Sequence, residues 1–372
     1  MMMKVKENTR QWQDGISKTI TFIVTKDCQL ACKYCYLVGK NSQERMSYEV
    51  AKLAVDYILN REEEFREDSV IWDFIGGEPF LEIDMIDRIC DYIKTELYRR
   101  NHHWFNSYRF SFSTNGINYH TEKVQRFIEK NREHLSIGIT IDGTQRKHDL
   151  NRIWKTQEME NGIMPKPEEE HGSYKDVVRN IPLWLEQFPR ASTKVTISSQ
   201  DIPYIKESVL HLYSLGIKEV NINCVFENVW KEGDDNLFEE QLTDLADAII
   251  ERQLYEEHAC SFFQEHIGKP MDCERDNQNW CGAGMMLAVD AAGMFYPCTR
   301  FAQYSLRSKS AWIIGNIHDG KSGVCRRESV LRCIQSFDLF LFTDAKSDGL
   351  FDHIKCGCDH DDGPKDGDAY SS

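Results

Sequence analysis

The sequence predicts an α/β protein, with a partial (β/α)6 barrel followed by a second, cysteine-rich domain. From residue 19 to residue 268, short β-branched segments alternate with longer segments of helical apolar spacing. Such alternation is typical of parallel βαβ units with right-handed crossovers. After residue 268 the helical periodicity fades, and seven of the thirteen cysteines appear. We expect an N-terminal arm over 1–18, a barrel over 19–268, a cysteine-rich domain over 269–358 and a mobile tail over 359–372.

Local patterns assign six strands and the helices between them. The predicted strands, rich in β-branched and aromatic residues, are Thr19–Thr25, Val70–Ile75, Phe110–Ser113, Leu135–Ile141, Lys194–Ser199 and Glu219–Cys224. The predicted helices are Tyr48–Leu59, Ile83–Arg99, Glu122–Asn131, Tyr174–Phe188, Ile205–Leu215 and Leu237–Cys260. Ser47 is the expected N-cap of the first helix. Thr156–Gly172 is charged and contains two prolines, which predicts an exposed insertion.

Composition excludes several classes of function. The net charge of -15 argues against non-specific binding to nucleic acid and against docking on anionic membranes. The longest apolar runs are strand-sized, and the N-terminus has no secretory signal, so we expect a cytoplasmic protein that does not span a membrane. Thirteen cysteines in such a chain indicate metal ligands or reduced thiols rather than disulfides.

The loop after the first strand carries the strongest motif. Cys28, Cys32 and Cys35 have the spacing C-x3-C-x2-C, and Tyr34 precedes the third cysteine. Each of the four irons of a [4Fe–4S] cluster needs a ligand, so three thiolates leave one iron open to a substrate or cofactor. A zinc site is the alternative, because C-x2-C is also a zinc spacing. The next cysteine is Cys90, however, and no second ligand pair follows.

This loop resembles the cluster loop of the radical S-adenosylmethionine (SAM) superfamily, whose fold is a partial, TIM-like barrel. The resemblance implies that Cys28, Cys32 and Cys35 hold a [4Fe–4S] cluster whose open iron chelates the amino and carboxylate groups of SAM. It also implies reductive cleavage of SAM to methionine and a 5′-deoxyadenosyl radical. Gly76-Gly77-Glu78 follows the second strand and resembles the GGE motif of the family, which binds the methionine amino group of SAM.

Polar residues at later strand ends are further candidates for SAM binding. Ser113 and Asn115 end the third strand, where hydroxyl and amide groups could bond the ribose; an ordinary Asx turn is the alternative. Arg152 lies beyond the fourth strand, at a position where related maturases place an arginine on the SAM carboxylate, a group that a guanidinium binds bidentately. Ser198 ends the fifth strand.

The C-terminal cysteines resemble a second known pattern. Cys281, Gly293 and Cys298 form C-x11-G-x4-C, which resembles the opening signature of the SPASM/twitch domain of radical SAM peptide maturases. Trp312–Ile317 resembles the segment that follows it. The resemblance implies two auxiliary [4Fe–4S] clusters, but the later spacing departs from the full SPASM pattern. A zinc site and a single auxiliary cluster therefore stay open. The candidate ligands are Cys273, Cys281, Cys298, Cys325, Cys333, Cys356 and Cys358.

The motifs together resemble thioether-forming maturases of the sactipeptide and ranthipeptide type, notably the freyrasin-type maturases of cysteine-repeat precursor peptides. The resemblance implies a precursor peptide substrate, a bond from a cysteine sulfur to a carbon of an acceptor residue, and an electron donor such as flavodoxin or ferredoxin. Sulfatase-maturing enzymes, which make formylglycine, carry an Asp after the G-x4-C cysteine, where this chain has Thr299. They stay as one alternative. A non-catalytic iron–sulfur sensor is another, against which the intact Gly76-Gly77-Glu78 argues.

Overall fold

The computed structural model describes residues 17–37, 43–156, 159, 169–264, 285–302, 305 and 311–318. The predicted N-terminal arm, the mobile tail, most of the insertion over 156–172 and most of the cysteine-rich domain lie outside the described residues, apart from the first strand's opening residues Ser17 and Lys18. In the part that the structure describes, no helix is long and apolar enough to cross a membrane.

The strands confirm the predicted alternation, with ends that shift by at most two residues. They are β1 Ser17–Thr25, β2 Ser69–Gly76, β3 Tyr108–Thr114, β4 Leu135–Ile139, β5 Ser192–Ile197, β6 Glu219–Cys224, β7 Ala259–Cys260, β8 Met286–Val289, β9 Met294–Tyr296 and β10 Gly315–Asn316. The α-helices are α1 Tyr48–Leu59, α2 Ile83–Arg99, α3 Glu122–Asn131, α4 Gln145–Asn151, α5 Tyr174–Val178, α6 Ile181–Gln187, α7 Ile205–Ser214 and α8 Asp234–Glu251. The side chain of Ser47 caps α1 as predicted, by accepting from the Val50 amide.

The parallel strands follow one another in chain order, as the βαβ pattern predicts. β1 to β4 form one parallel sheet, β5 to β7 form another, and a parallel bridge between Thr140 and Lys194 joins them. On the other side of β1, β8 adds in parallel, followed by the antiparallel strands β9 and β10. This arrangement brings the C-terminal ends of β1 to β6 to one end of a curved α/β sheet, where the sequence places its polar motifs.

The outer face of the sheet holds the main core. Alternate residues of a strand point to opposite faces, and one face of β1 to β3 is almost wholly aromatic or aliphatic. Phe22, Phe74 and Phe112 stack across three neighbouring strands with ring centroids 5.6 and 5.2 Å apart. Phe127 of α3 packs edge-on against Phe112. This packing stabilises the strands whose ends carry the functional loops.

The single helix predicted over Tyr174–Phe188 is wrong, since the structure has the two short helices α5 and α6 there. Pro182 lies in the first turn of α6 and has no N–H to bond the carbonyl of Val178. The series of helical backbone hydrogen bonds is therefore interrupted between α5 and α6. The Asn180 side chain instead donates to the carbonyl of Gly116 at 2.8 Å.

The helix predicted over Leu237–Cys260 is too long. α8 ends at Glu251, and Gln253 then adopts a left-handed conformation with φ of 54°. The chain next forms β7, which pairs in parallel with β6. Apolar spacing alone cannot separate the end of a helix from a short buried strand.

Candidate functional site

The loop that carries Cys28, Cys32 and Cys35 begins where β1 ends. Asp27 fixes the first residues of the loop, because one of its carboxylate oxygens accepts from the Cys28 amide at 2.9 Å and from the Lys155 ammonium at 2.7 Å. The Cys35 amide donates to the Cys32 carbonyl at 3.1 Å and closes a turn. Cys28 is buried, and Cys32 and Cys35 are partly buried. The three sulfurs thus belong to one ordered loop at the C-terminal end of the parallel strands.

A neighbouring segment pairs with this loop and fixes its course. The Ala31 amide donates to the carbonyl of Ile153 at 2.9 Å, and the Lys33 amide donates to the carbonyl of Asn151 at 3.0 Å. Arg152 lies between these two acceptors. The pairing therefore places Arg152, the predicted SAM carboxylate ligand, directly against the cysteine loop.

The glycines of Gly76-Gly77-Glu78 let β2 lie against the same loop. A Cβ at Gly76 would stand 2.3 Å from the Thr25 carbonyl oxygen, and one at Gly77 would stand 2.1 Å from the Asp27 carbonyl oxygen. The Gly77 and Glu78 amides donate to these two carbonyls at 2.9 and 2.8 Å. The close approach that requires glycine is thus one of backbone to backbone within the protein.

Glu78 is buried and ties the ends of β2 and β3 together. Its Oε1 accepts from the Thr114 hydroxyl at 2.6 Å and from the Phe80 amide at 3.0 Å, and its Oε2 accepts from the Asn115 amide at 2.7 Å. Burial raises the pKa of Glu78, although these hydrogen bonds oppose the rise. The position of this carboxylate beside the cysteine loop is therefore rigidly defined.

Asn115 connects the end of β3 with the cysteine loop. Its side-chain nitrogen donates to Gln29 Oε1 at 3.0 Å and lies 3.9 Å from the Cys28 sulfur. Its side-chain oxygen accepts from the Ile117 amide at 2.9 Å. This hydrogen bond forms the Asx turn that the sequence analysis gave as the alternative to ribose binding. Both side-chain groups of Asn115 thus have partners within the protein.

Arg152, Tyr34 and Asp142 form a buried polar chain next to Cys32. The guanidinium Nη1 donates to the Tyr34 hydroxyl at 3.0 Å, and that hydroxyl donates to Asp142 Oδ2 at 2.5 Å. Burial disfavours the ionised carboxyl, but Lys147 and Arg152 hold the pKa of Asp142 below its usual range. The Nε of Arg152 is buried and has no hydrogen-bond partner. Sequence analysis assigned no role to Asp142. Its position directly after the predicted fourth strand is the sequence feature that could have identified it as a site residue.

His148 supports the backbone of Arg152. Burial lowers the pKa of His148 to about 3, so its imidazole is neutral. Its Nδ1 accepts from the Asp142 amide at 3.3 Å, which leaves the hydrogen on Nε2. Nε2 lies 3.0 Å from the Ser173 hydroxyl, which donates to the Arg152 carbonyl at 2.8 Å. Arg152 is thus held at both its side chain and its main chain.

Two predicted residues form hydrogen bonds outside this group. Ser198 directly follows β5, and its amide and hydroxyl both donate to the buried carboxylate of Asp201 at 2.8 and 2.6 Å. Ser113 lies on the inner face of the barrel, where its hydroxyl accepts from the Lys194 ammonium at 3.0 Å. The structure thus brings Asn115 and Arg152 to the cysteine loop, but gives Ser113 and Ser198 other partners.

Cys298 is the C-terminal candidate ligand that the structure describes. It follows the hairpin of β8 and β9, whose turn contains Gly293 with φ of 76°. A Cβ at this position would also stand 2.4 Å from a methyl group of Ile317. Gly293 and the segment that ends at Ile317, two parts of the same sequence motif, are therefore in close contact. The other candidates, Cys273, Cys281, Cys325, Cys333, Cys356 and Cys358, lie outside the described residues.

The residues after Cys298 contact the cysteine loop. The Thr299 side chain forms a hydrogen bond with the Tyr36 hydroxyl, and the Arg300 guanidinium lies 4.9 Å from the centre of the Tyr36 ring. Tyr36 comes directly after Cys35. The C-terminal motif therefore lies beside the cysteine loop.

The residues present fit an iron–sulfur cluster with a bound ligand that carries a carboxylate group. Three cysteines on one loop supply soft thiolate ligands of the kind such clusters use, and Cys32 and Cys35 form no disulfide. The Nε of Arg152 supplies a buried, charged donor that lacks a protein acceptor. Such a group gains most from an acidic ligand.

A second cluster of ligand-type side chains lies just after the C-terminal end of α2. Among the described residues, Glu62, His102 and His103 have potential metal-ligand atoms that all lie within 4.8 Å of one another. His102 Nδ1 accepts from the Trp104 amide at 3.2 Å. Burial lowers the pKa of His102 to about 4, so the ring is neutral and Nε2 keeps its hydrogen. That hydrogen excludes Nε2 as a metal ligand in this arrangement.

Comparisons with known proteins give a family match and several fold matches. The model of the radical SAM superfamily matches residues 22–197. MJ0907, an uncharacterized protein of Methanocaldococcus jannaschii, is 28% identical over 213 residues, which are 57% of this chain and 64% of that protein. The chain thus spans less than two thirds of the length of this relative.

Two solved structures share the fold. That of anSMEcpe with bound AdoMet has a TM-score of 0.60 at 20% identity, and the match covers 81% of this chain and 78% of that one. That of Streptococcus suis SuiB bound to precursor peptide SuiA has a TM-score of 0.52 at 14% identity, with 79% and 62% covered. The radical SAM superfamily model thus matches residues 22–197, and the chain shares the fold of these two solved structures.

Proposed function

We propose that this enzyme reductively cleaves SAM and installs thioether crosslinks between a cysteine sulfur and a carbon of an acceptor residue in a ribosomally made precursor peptide. One observation carries the SAM half of the proposal. The C-x3-C-x2-C loop is held between Gly76-Gly77-Glu78 on one side and the Arg152 segment on the other. These are the elements that the family resemblance assigns to the amino and carboxylate ends of SAM.

The protein would hold SAM through groups that are already oriented. Arg152 offers a charged donor, and Tyr34 and Asp142 fix the plane of its guanidinium. Asn115 and Glu78 line the opposite side of Cys28. The cluster, when bound, supplies the electron that splits SAM into methionine and a 5′-deoxyadenosyl radical. The burial of Cys28 and Glu78 limits the access of water to this reaction.

Three features support a peptide substrate and thioether chemistry. anSMEcpe and SuiB have each been solved with a bound peptide. Cys298 and its hairpin lie beside the cluster loop, which suits an auxiliary cluster held there by the C-terminal cysteines. Thr299 stands where a formylglycine-forming enzyme of this type has an Asp. An electron donor such as flavodoxin or ferredoxin and a cytoplasmic location complete the proposal.

Mass spectrometry of a cysteine-repeat peptide tests the proposal. The anaerobic enzyme is incubated with the peptide, SAM and dithionite. A thioether removes two hydrogen atoms per crosslink, keeps the sulfur and blocks alkylation of that cysteine. Loss of the sulfur with gain of an aldehyde would instead establish formylglycine formation. A protein that releases no 5′-deoxyadenosine under these conditions would contradict both reactions and favour the sensor.

A further inference from the structure

The inner face of the barrel carries a row of polar side chains, which we call the inner row. It consists of Thr21, Asp73, Ser111 and Ser136, one residue from each of β1 to β4, paired in register across the sheet. Each lies on the face opposite the aromatic core, because side chains alternate along a strand. These polar side chains give this face hydrogen-bonding groups that a ligand could use.

Asp73 is the acidic member of the inner row. Its Oδ2 accepts from the Thr21 hydroxyl at 3.3 Å, and it also accepts from the Ser111 hydroxyl. Lys194 on β5 approaches from across the barrel, where its ammonium bonds Ser113 and its charge acts on Asp73. Lys194 is exposed and Asp73 is partly buried, so the space between them is accessible.

Tyr36 connects Asp73 with the region after Cys298. Its hydroxyl bonds the Thr299 side chain, and the charge of Asp73 acts on it from β2. Ile23 and Ile75, which flank Asp73 on the same face, pack with Leu37 and with Ala302. Asp73 therefore lies on the wall that faces both the cysteine loop and the C-terminal hairpin.

We propose that Asp73 is the general base that accepts the proton of the substrate cysteine thiol. Lys194 is positioned to stabilise the negative charge of the Asp73 carboxylate. The inference rests on the proposed function, in which a cysteine of a peptide enters the barrel. In this step the S–H bond breaks, an O–H bond forms on the carboxylate, and the sulfur keeps the electron pair as a thiolate.

The electrostatic setting suits this step. Burial raises the pKa of Asp73, while Lys194 and the hydroxyls of Ser111 and Thr21 lower it in part. A carboxylate whose pKa is raised is a stronger base. Tyr36 approaches from the cysteine loop, and burial keeps it neutral by raising its pKa. Arg109 contacts the far end of the inner row, where its guanidinium donates to Ser136.

The test compares Asp73→Asn with the wild type in two assays. Without peptide, both proteins should form 5′-deoxyadenosine at similar rates, because the cysteine loop is untouched. With peptide, the variant should form crosslinked product about 10²-fold more slowly, the usual scale for loss of a general base. Asp87→Asn is the matched control, since it removes the same charge from the exposed face of α2, where Asp87 pairs with Lys130, and should crosslink at the wild-type rate.

A second variant separates a base from a merely structural carboxylate. The wild-type kcat/KM should fall as the pH drops through the pKa of Asp73, because the protonated acid cannot accept the thiol proton. Lys194→Met removes a charge that lowers this pKa, so the acid limb should move to higher pH. A structural role would lower the activity of this variant without moving the limb.

The outcomes are distinct. Crosslinking by Asp73→Asn at the wild-type rate, or an acid limb that does not move in Lys194→Met, would overturn the role of Asp73 while leaving the proposed function intact. Failure of the wild type to crosslink any cysteine peptide, with 5′-deoxyadenosine still formed, would overturn both. Loss of 5′-deoxyadenosine in Asp73→Asn alone would mean that the residue serves the cluster site, which also contradicts the proposal.

Discussion

Arg152 shows at the scale of one residue how the protein prepares a site for the carboxylate group of a ligand. Its side chain is buried, yet its Nε has no acceptor. A buried donor without a partner costs free energy comparable to a lost hydrogen bond. The neighbouring Tyr34 and Asp142 fix the guanidinium and prevent it from turning away. We interpret this cost as preparation for the carboxylate of SAM.

Arg152→Gln should therefore weaken SAM binding. Hydrogen bonds to charged groups contribute about 1.5–3 kcal/mol, which corresponds to a rise in Kd of about 10- to 100-fold. Equilibrium dialysis with the cluster-loaded protein measures this, with Arg152→Lys as the charge-conserving control, expected to lie between the two. Equal affinities in wild type and Arg152→Gln would exclude contact with the carboxylate.

At the scale of elements, the contact between β2 and the cysteine loop depends on two glycines. Backbone atoms of Thr25 and Asp27 fill the space that a Cβ at Gly76 or Gly77 would need. Backbone cannot move aside as a flexible side chain can. The hydrogen bonds of the Gly77 and Glu78 amides reinforce the contact. The loop and the end of β2 thus act as one structural unit.

Gly77→Ala should displace this loop, so the purified protein should contain clearly less iron and should unfold at a lower temperature. Gly138→Ala on β4 is the control, because a Cβ there meets no atom closer than 3.5 Å. Iron analysis and thermal unfolding of both variants check this. A Gly77→Ala protein with the full iron content of Gly138→Ala would contradict the close-contact account.

At the scale of the whole molecule, sequence patterns predicted the α/β class and the order of β1 to β6, because strands and helices have different apolar periods. The end of the third strand also placed Asn115 near the cysteines, since the ends of parallel strands meet, whereas Arg152 was assigned through the family resemblance. They missed the break at Pro182 and the early end of α8, which depend on single residues. They also missed the local pairing of Ser198 with Asp201, three residues further on. They could not predict the inner row, because its contacts join residues far apart in sequence.

The central claim is that Cys28, Cys32 and Cys35 hold the cluster that cleaves SAM. The most direct measurement compares iron content and 5′-deoxyadenosine formation between the wild type and Cys28→Ala/Cys32→Ala/Cys35→Ala, both purified anaerobically and reduced. The account predicts that the variant loses about four irons and forms no 5′-deoxyadenosine; a fall from about twelve irons to about eight would add two auxiliary clusters. A variant that still cleaves SAM would contradict the account.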